Sequence, residues 1–249
     1  MSVSLHELVA YCDNHLASQG VKDYCPNGLQ VEASEHIHCL ATAVTANEAA
    51  IDAAIAIGAD VLLVHHGYFW RGEHEALRGM KGRRIGKLFR HGISLLAYHL
   101  PLDTHPVLGN NAQLGRKLGW EGFAASEDGL IWMAHFDEPV EVTDLLAEVL
   151  RVLGREPLHI PADTLSVSKV AWCTGAAQSM LPMAEALGAE LFLSGEISEP
   201  TVHQAREMGI HYVAAGHHAT ERYGVQALGQ HLGEHFGIAH HFIEIANPV

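Results

Sequence analysis

Two adjacent histidines close a short aliphatic run, Val61-Leu62-Leu63-Val64-His65-His66, and Gly67 follows them. Neutral imidazole is the commonest metal ligand, so the pair suggests a bound cation. A short aliphatic run ended by glycine reads as a buried strand of an α/β sheet, and such sheets bind ligands beyond the carboxyl ends of their strands. Successive strand side chains point to opposite faces, so His65 and His66 share a site only where the strand stops, and Gly67 supplies the stop. Ligands placed at strand ends in this way are expected outside the core.

Two more His/acid pairs have suitable spacing. His99 and Asp103 stand four apart after one apolar run, and His217 and Glu221 stand four apart after another. A helix opening at His217 puts its ring and the Glu221 carboxylate on one face. His218 has Arg222 at the same spacing, which cannot bind a cation, so His217 is the better ligand. Asp103 follows Pro101 in an expected loop, where a ligand role and a turn or N-cap role fit equally.

Three imidazoles, His65, His66 and His217, with two carboxylates, Asp103 and Glu221, exceed what a catalytic zinc with three protein ligands requires. They suit two divalent ions sharing a carboxylate, with positions left for water, and the default chemistry of such a pair is hydrolysis. Mixed imidazole and carboxylate ligation accommodates zinc, iron, manganese, cobalt or nickel. Metal binding is expected to weaken as pH falls through the imidazole range near about 6.5. His99 and Glu196 are candidate catalytic residues for moving protons. The alternative for Glu196 is a helix-capping carboxylate. Histidine is abundant, 20 of 249 residues, so isolated ones such as His15, His74, His159 and His235 read as surface or satisfied core residues.

An internal repeat positions these groups. Residues 39–67 match the segment from residue 169 without a gap, Gly58-Ala59-Asp60-Val61-Leu62-Leu63-Val64-His65-His66 aligning with Gly188-Ala189-Glu190-Leu191-Phe192-Leu193-Ser194-Gly195-Glu196. Glu196 thereby falls where His66 sits. After a shift of offset, His91-Gly92-Ile93-Ser94-Leu95-Leu96-Ala97-Tyr98-His99 aligns with the run from Met208 to His217, which superposes His99 and Asp103 on His217 and Glu221.

The elements around them alternate. An amphipathic helix follows the Ser4-to-Glu7 capping box, Cys25 to Val31 is a loop entering a strand, and Leu40–Val44 and Val61–Val64 are strands flanking a helix that starts near Asn47. A basic helix near Ile85–Phe89, a strand at Ser94–Tyr98, a strand at Ile131–Phe136, a helix at Val142–Leu153 and a final strand at Ala239–Ile245 complete the pattern. This is an α/β chain with parallel or mixed sheets. The loosened stretch from Glu121 to Asp128 is the expected boundary between a domain of residues 1–125, carrying His65, His66 and Asp103, and one of residues 126–249, carrying His217 and Glu221, with the metal site between the halves.

A net charge of −14, from 29 acidic and 15 basic residues, argues against binding polymeric nucleic acid and leaves a small-molecule substrate as the expected partner. The basic segment from Arg78 to Arg90 fails the P-loop spacing, since Leu88 follows Lys87, and reads first as a solvated helix face, with anion recognition or a subunit contact as the alternatives. Cys12, Cys25, Cys39 and Cys173 show no paired spacing, which favours a reducing compartment. Neither a signal-peptide pattern nor an apolar run of about 20 residues occurs, so the expected location is the cytoplasm, without membrane insertion.

Pro26-Asn27-Gly28-Leu29-Gln30-Val31, Val64-His65-His66-Gly67, His99-Leu100-Pro101-Leu102-Asp103 and Gly216-His217-His218-Ala219-Thr220-Glu221 together resemble the GTP cyclohydrolase 1 type 2 homologue family of NGG-interacting-factor-like dinuclear-metal proteins. The resemblance implies two interlocked α/β domains, a toroidal homohexamer built as a trimer of dimers, and a two-metal site facing its cavity. It implies His65, His66, Asp103, His217 and Glu221 as the metal ligands, with Glu221 as the bridge. It also implies a GTP cyclohydrolase-like hydrolase acting on a nucleotide-like or phosphorylated small molecule; the alternative is a non-catalytic, ring-shaped metal-binding scaffold or regulator. The apolar Tyr68-Phe69-Trp70 segment is a candidate subunit contact.

Overall fold

The structure, a computed structural model, describes residues 2–249. It divides into two compact units, Met1–His105 with Gly224–Ala246 and Pro106–Tyr223 with Asn247–Val249. The elements run α1 (Leu5–His15), β1 (Gly28–Val31), β2 (Cys39–Thr45), α2 (Glu48–Ala56), β3 (Val61–His66), α3 (Gly79–His91), β4 (Ser94–Ala97) and α4 (Leu100–Thr104). Next come α5 (Asn110–Lys117), β5 (Gly122–Ala124), β6 (Trp132–Glu141), α6 (Val142–Leu153), β7 (Leu158–Ile160) and β8 (Ser166–Cys173). Then follow α7 (Leu181–Ala186), β9 (Leu191–Ser194), α8 (Glu199–Met208), β10 (His211–Ala214), α9 (His217–Phe236) and β11 (Ala239–Phe242).

In the first unit the strand order is β11-β2-β3-β4-β1, with β1 antiparallel to β4 and the other neighbours parallel. In the second it is β5-β6-β8-β9-β10-β7, with β8, β9 and β10 parallel and β5, β6 and β7 antiparallel to their neighbours. Each unit thus contains the same path of three adjacent parallel strands joined by helices, β2-α2-β3-α3-β4 and β8-α7-β9-α8-β10, which is the internal repeat in three dimensions. Parallel strands covered on both faces carry unbroken aliphatic runs. Accordingly Val61, Leu62, Leu63 and Val64 are fully buried in one unit, and Phe192 and Leu193 in the other. Each such side chain contributes roughly 1.5–3 kcal/mol by leaving water. The second core also centres on Trp172, which packs edge-on against Trp120 at 5.4 Å.

Helix starts follow the local chemistry. Ser4 accepts the Glu7 N–H at 3.2 Å to open α1, and Asn47 accepts the Ala50 N–H at 2.8 Å to open α2. The segment after His99 is a short helix and not the expected loop: Pro101 occupies the first turn of α4, where its missing N–H costs nothing, and Asp103 is carried on that turn. The expected boundary at 125/126 also falls elsewhere, inside the second unit. There β5 pairs with β6, and the polar stretch between them is a hairpin turn in which Ser126 Oγ accepts the Ile131 N–H at 2.9 Å. Tyr68 turns inward to the core and donates its hydroxyl to the Ala46 carbonyl. On α3, Lys87 pairs with Glu48 and Asp52 of α2.

Candidate metal centre

In the first unit β3 continues through both histidines, and His66 pairs with Thr45 across the sheet. His65 is fully buried, and its Nδ1 lies 3.0 Å from the Tyr98 carbonyl. A carbonyl only accepts, so Nδ1 carries the proton and Nε2 presents its lone pair. That Nε2 stands 3.5 Å from Asp103 Oδ1. With metal–ligand bonds of about 2.0–2.2 Å, two donors of one ion lie roughly 3–3.5 Å apart, so the spacing fits a shared cation. His66 Nδ1 contacts Thr45 Oγ1 at 3.2 Å. One donor atom from each of His65, His66 and His99 falls within a mutual 4.8 Å.

Asp23, which spacing alone did not single out, holds His99. Its Oδ1 is 2.9 Å from His99 Nδ1, while Oδ2 accepts from Asn27 Nδ2 and the Leu100 N–H, each at 3.0 Å. Burial by itself would raise the carboxyl, but hydrogen bonds from His99, Asn27 and Leu100 outweigh it and keep Asp23 well below the usual carboxylate range. The Pro26-to-Val31 motif also acquires a physical reason. Gln30 Oε1 accepts the Tyr68 N–H at 2.7 Å and its Nε2 donates to the Tyr68 carbonyl, which fixes the turn leaving His66. Gly67 is required by that approach, because a Cβ there would lie 2.2 Å from Gln30 Oε1 and 2.6 Å from the Ala97 Cβ.

In the second unit His217 opens α9. Its Nε2 lies 3.0 Å from Glu221 Oε2, one turn onward, and its Nδ1 lies 2.6 Å from Glu196 Oε1. Glu196 is therefore a carboxylate that orients a histidine. The helix-capping alternative fails, since α8 is capped by Ser198. Gly195, the repeat counterpart of His65, makes room for this arrangement: a Cβ on it would lie 2.7 Å from His217 Cα. Arg222, the helical partner of His218, donates to the Leu153 carbonyl at 3.1 Å. Each unit thus assembles an imidazole whose Nδ1 is held from outside and whose Nε2 meets a carboxylate. This donor set suits a borderline divalent metal.

The core position of these groups departs from the expectation that they lie outside it. His65 is 0% exposed, Glu221 3% and Asp103 6%. Glu196→Gln keeps the shape but removes the charge behind His217, and is expected to lower metal affinity about 10–100-fold. A competition titration with a chromogenic chelator measures this, and an unchanged affinity would remove Glu196 from the centre.

His217 also sets a pH window higher than the unperturbed imidazole value. Burial opposes the charged ring, yet Glu221 and then Glu196 outweigh burial and raise it to about 9. A pKa raised above the unfolded value of about 6.5 gives stability fully present below 6.5 and lost as pH rises through the folded value. The neutral ring that a metal needs becomes available over the same window. In chelator-treated protein, the stability advantage of wild type over His217→Asn is expected to shrink between pH 6.5 and about 9 while zinc affinity rises. A constant advantage in urea melts across that range would contradict the assignment.

The chain matches the family model described as Duf34/NIF3 (NGG1p interacting factor 3) over residues 3–248. It is 50% identical over 246 residues to a protein of Allochromatium vinosum named GTP cyclohydrolase 1 type 2 homolog, covering 98% of this chain and 97% of that one. A protein of the same name from Pseudomonas aeruginosa is 50% identical over 252 residues, covering all of both chains. Among solved structures, protein ybgI, described as of unknown function, superposes with a TM-score of 0.96 at 44% identity, covering 99% of this chain and 100% of that chain.

Proposed function

The chain belongs to the Duf34/NIF3 family, and from that premise we propose that it is a dinuclear metal-dependent hydrolase of nucleotide-like or phosphorylated small molecules. His65, His66, Asp103, His217 and Glu221 would hold two divalent ions, with Glu221 as the ligand in common. The observation that carries this reading is the repeated outer support of the imidazoles: Tyr98 behind His65, Thr45 behind His66 and Glu196 behind His217. Such support fixes the ring tautomer and its direction, which a merely satisfied core histidine does not require.

Two ions bound by such a set supply Lewis acidity and an activated water for hydrolysis near neutral pH. His99, backed by Asp23, takes or gives the proton at Nε2, in the manner of a histidine oriented by a carboxylate. GTP enters as the first substrate to test because the relatives' name carries cyclohydrolase. We assign the toroidal homohexamer, a trimer of dimers, to the same reading, and a cytoplasmic location; among the described residues no helix is long and apolar enough to cross a membrane.

The test is a turnover screen of GTP, other nucleotides and phosphoesters, on protein stripped by chelator and reloaded with zinc, iron, manganese, cobalt or nickel. Turnover that returns with metal and is lost in His99→Gln supports the assignment. Full metal occupancy with no turnover on any of them would favour a non-catalytic scaffold.

A further inference from the structure

Two aromatic rings flank His99 in the first unit. Tyr24 lies 5.0 Å from the His99 ring at 72°, Trp70 lies 5.0 Å from it at 84°, and the two are 5.7 Å from each other. Trp70 also reaches the His66 ring at 6.0 Å. His99 is buried, while Tyr24 keeps 50% of its surface exposed. Aromatic contact therefore runs from a buried imidazole outward to solvent. Trp70 also differs from the other tryptophans: Trp120, Trp132 and Trp172 are buried in the second unit's core, and Trp70 is only partly covered.

The backbone holds both rings in place. Asp23 Oδ1, which orients His99, also accepts the Tyr24 N–H at 2.7 Å, so one carboxylate fixes the imidazole and the start of the aromatic wall. The Arg71 N–H donates to the Tyr24 carbonyl at 2.7 Å and stitches the two segments together. The Trp70 indole N–H donates to the Gly67 carbonyl at 3.2 Å, and Glu73 Oε2 accepts the Phe69 and Trp70 N–H groups at 3.0 and 3.3 Å. Between them Phe69 has φ +67°, in the left-handed region that bulky side chains avoid. Such strain persists only where surrounding bonds over-determine it, and it clusters at ligand clamps. A tryptophan that only filled a core would need neither the strained turn nor a half-exposed tyrosine beside it.

We propose that Tyr24 and Trp70 form a stacking platform for the heteroaromatic ring of the substrate, a purine base or a ring of similar size, received on the open surface of Tyr24 beside His99. This rests on the hydrolase reading above and names its substrate class. An aromatic face reads the π-surface that every base presents. The platform therefore selects nucleotides over sugar phosphates and separates one base from another only weakly.

The experiment uses the full chain loaded with zinc. Guanosine 5′-monophosphate is the probe, ribose 5-phosphate carries the same phosphate without a base, and both are titrated by calorimetry. Tyr24→Ala and Trp70→Leu are each expected to weaken the nucleotide about 10-fold or more, the usual effect of removing one base-stacking ring. Neither should change the affinity for ribose 5-phosphate. Tyr24→Phe keeps the ring and should restore nucleotide binding, and Phe123→Ala, at an exposed ring on β5, should leave it as in wild type. Nucleotide that binds through the platform while no nucleotide is turned over would uphold the platform and count against the hydrolase reading. Wild-type protein that binds both probes equally or fails to bind the nucleotide, or wild-type nucleotide affinity in both Tyr24→Ala and Trp70→Leu, would overturn the platform. So would a changed sedimentation coefficient with unchanged nucleotide affinity, which would assign the two rings to a subunit contact.

Discussion

Glu221→Gln is expected to fold as wild type and to lose its metal. Glutamine preserves the volume of a side chain that is only 3% exposed, so packing survives while the negative donor facing His217 disappears. The fall in affinity should exceed the roughly 10–100-fold of an outer-support variant, because a direct donor is lost. Asp103→Asn is expected to act likewise at His65. His218→Ala is the control and should leave metal content unchanged, since its helical partner Arg222 is engaged with the end of α6. Wild-type metal content in both carboxamide variants, with unchanged thermal melts, would exclude these carboxylates from the centre.

Gly195→Ala is expected to carry the largest stability cost. A Cβ at this position would lie 2.6 Å from the Gly175 carbonyl oxygen and 2.7 Å from His217 Cα, and neither backbone atom can swing aside as a flexible side chain would. Overpacking of this kind costs about 1–3 kcal/mol. The start of α9 must shift to relieve it, carrying His217 and Glu221 away from their partners, so metal is lost along with stability. Gly86→Ala in α3 provides the opposite sign: nothing lies within 4 Å of the added carbon, and helix propensity should return about 0.5–1 kcal/mol. Equal urea midpoints for Gly195→Ala and wild type would show that the close approach is not tight.

Much of this architecture was legible in the chain. The aliphatic run before His65, its counterpart before Gly195, and the capping residues Ser4 and Asn47 are local signals, and β3, β9, α1 and α2 follow from them. Spacing likewise placed His217 and Glu221 on one helical face. What escaped was non-local. Asp23 reaches His99 across 76 residues, and no pattern near Asp23 announces that contact. Pro101 suggests a loop although a first helical turn accommodates proline, and the loosened stretch from Glu121 to Asp128 suggests a domain boundary although Ser126 within it closes a hairpin turn. The burial of His65 is not a local signal either, because the repeat aligns positions without carrying their surroundings. The residue matching His65 is Gly195, and that exchange of imidazole for hydrogen admits His217 in the second unit.

Metal stoichiometry tests the central claim most directly. Purified protein is stripped with chelator, reloaded with zinc and freed of excess by gel filtration before elemental analysis. The proposed centre predicts two zinc ions per chain, and a marked loss when Glu221→Gln is added. One ion or none per chain, or two ions that persist unchanged without the Glu221 carboxylate, would contradict a shared dinuclear centre at these residues.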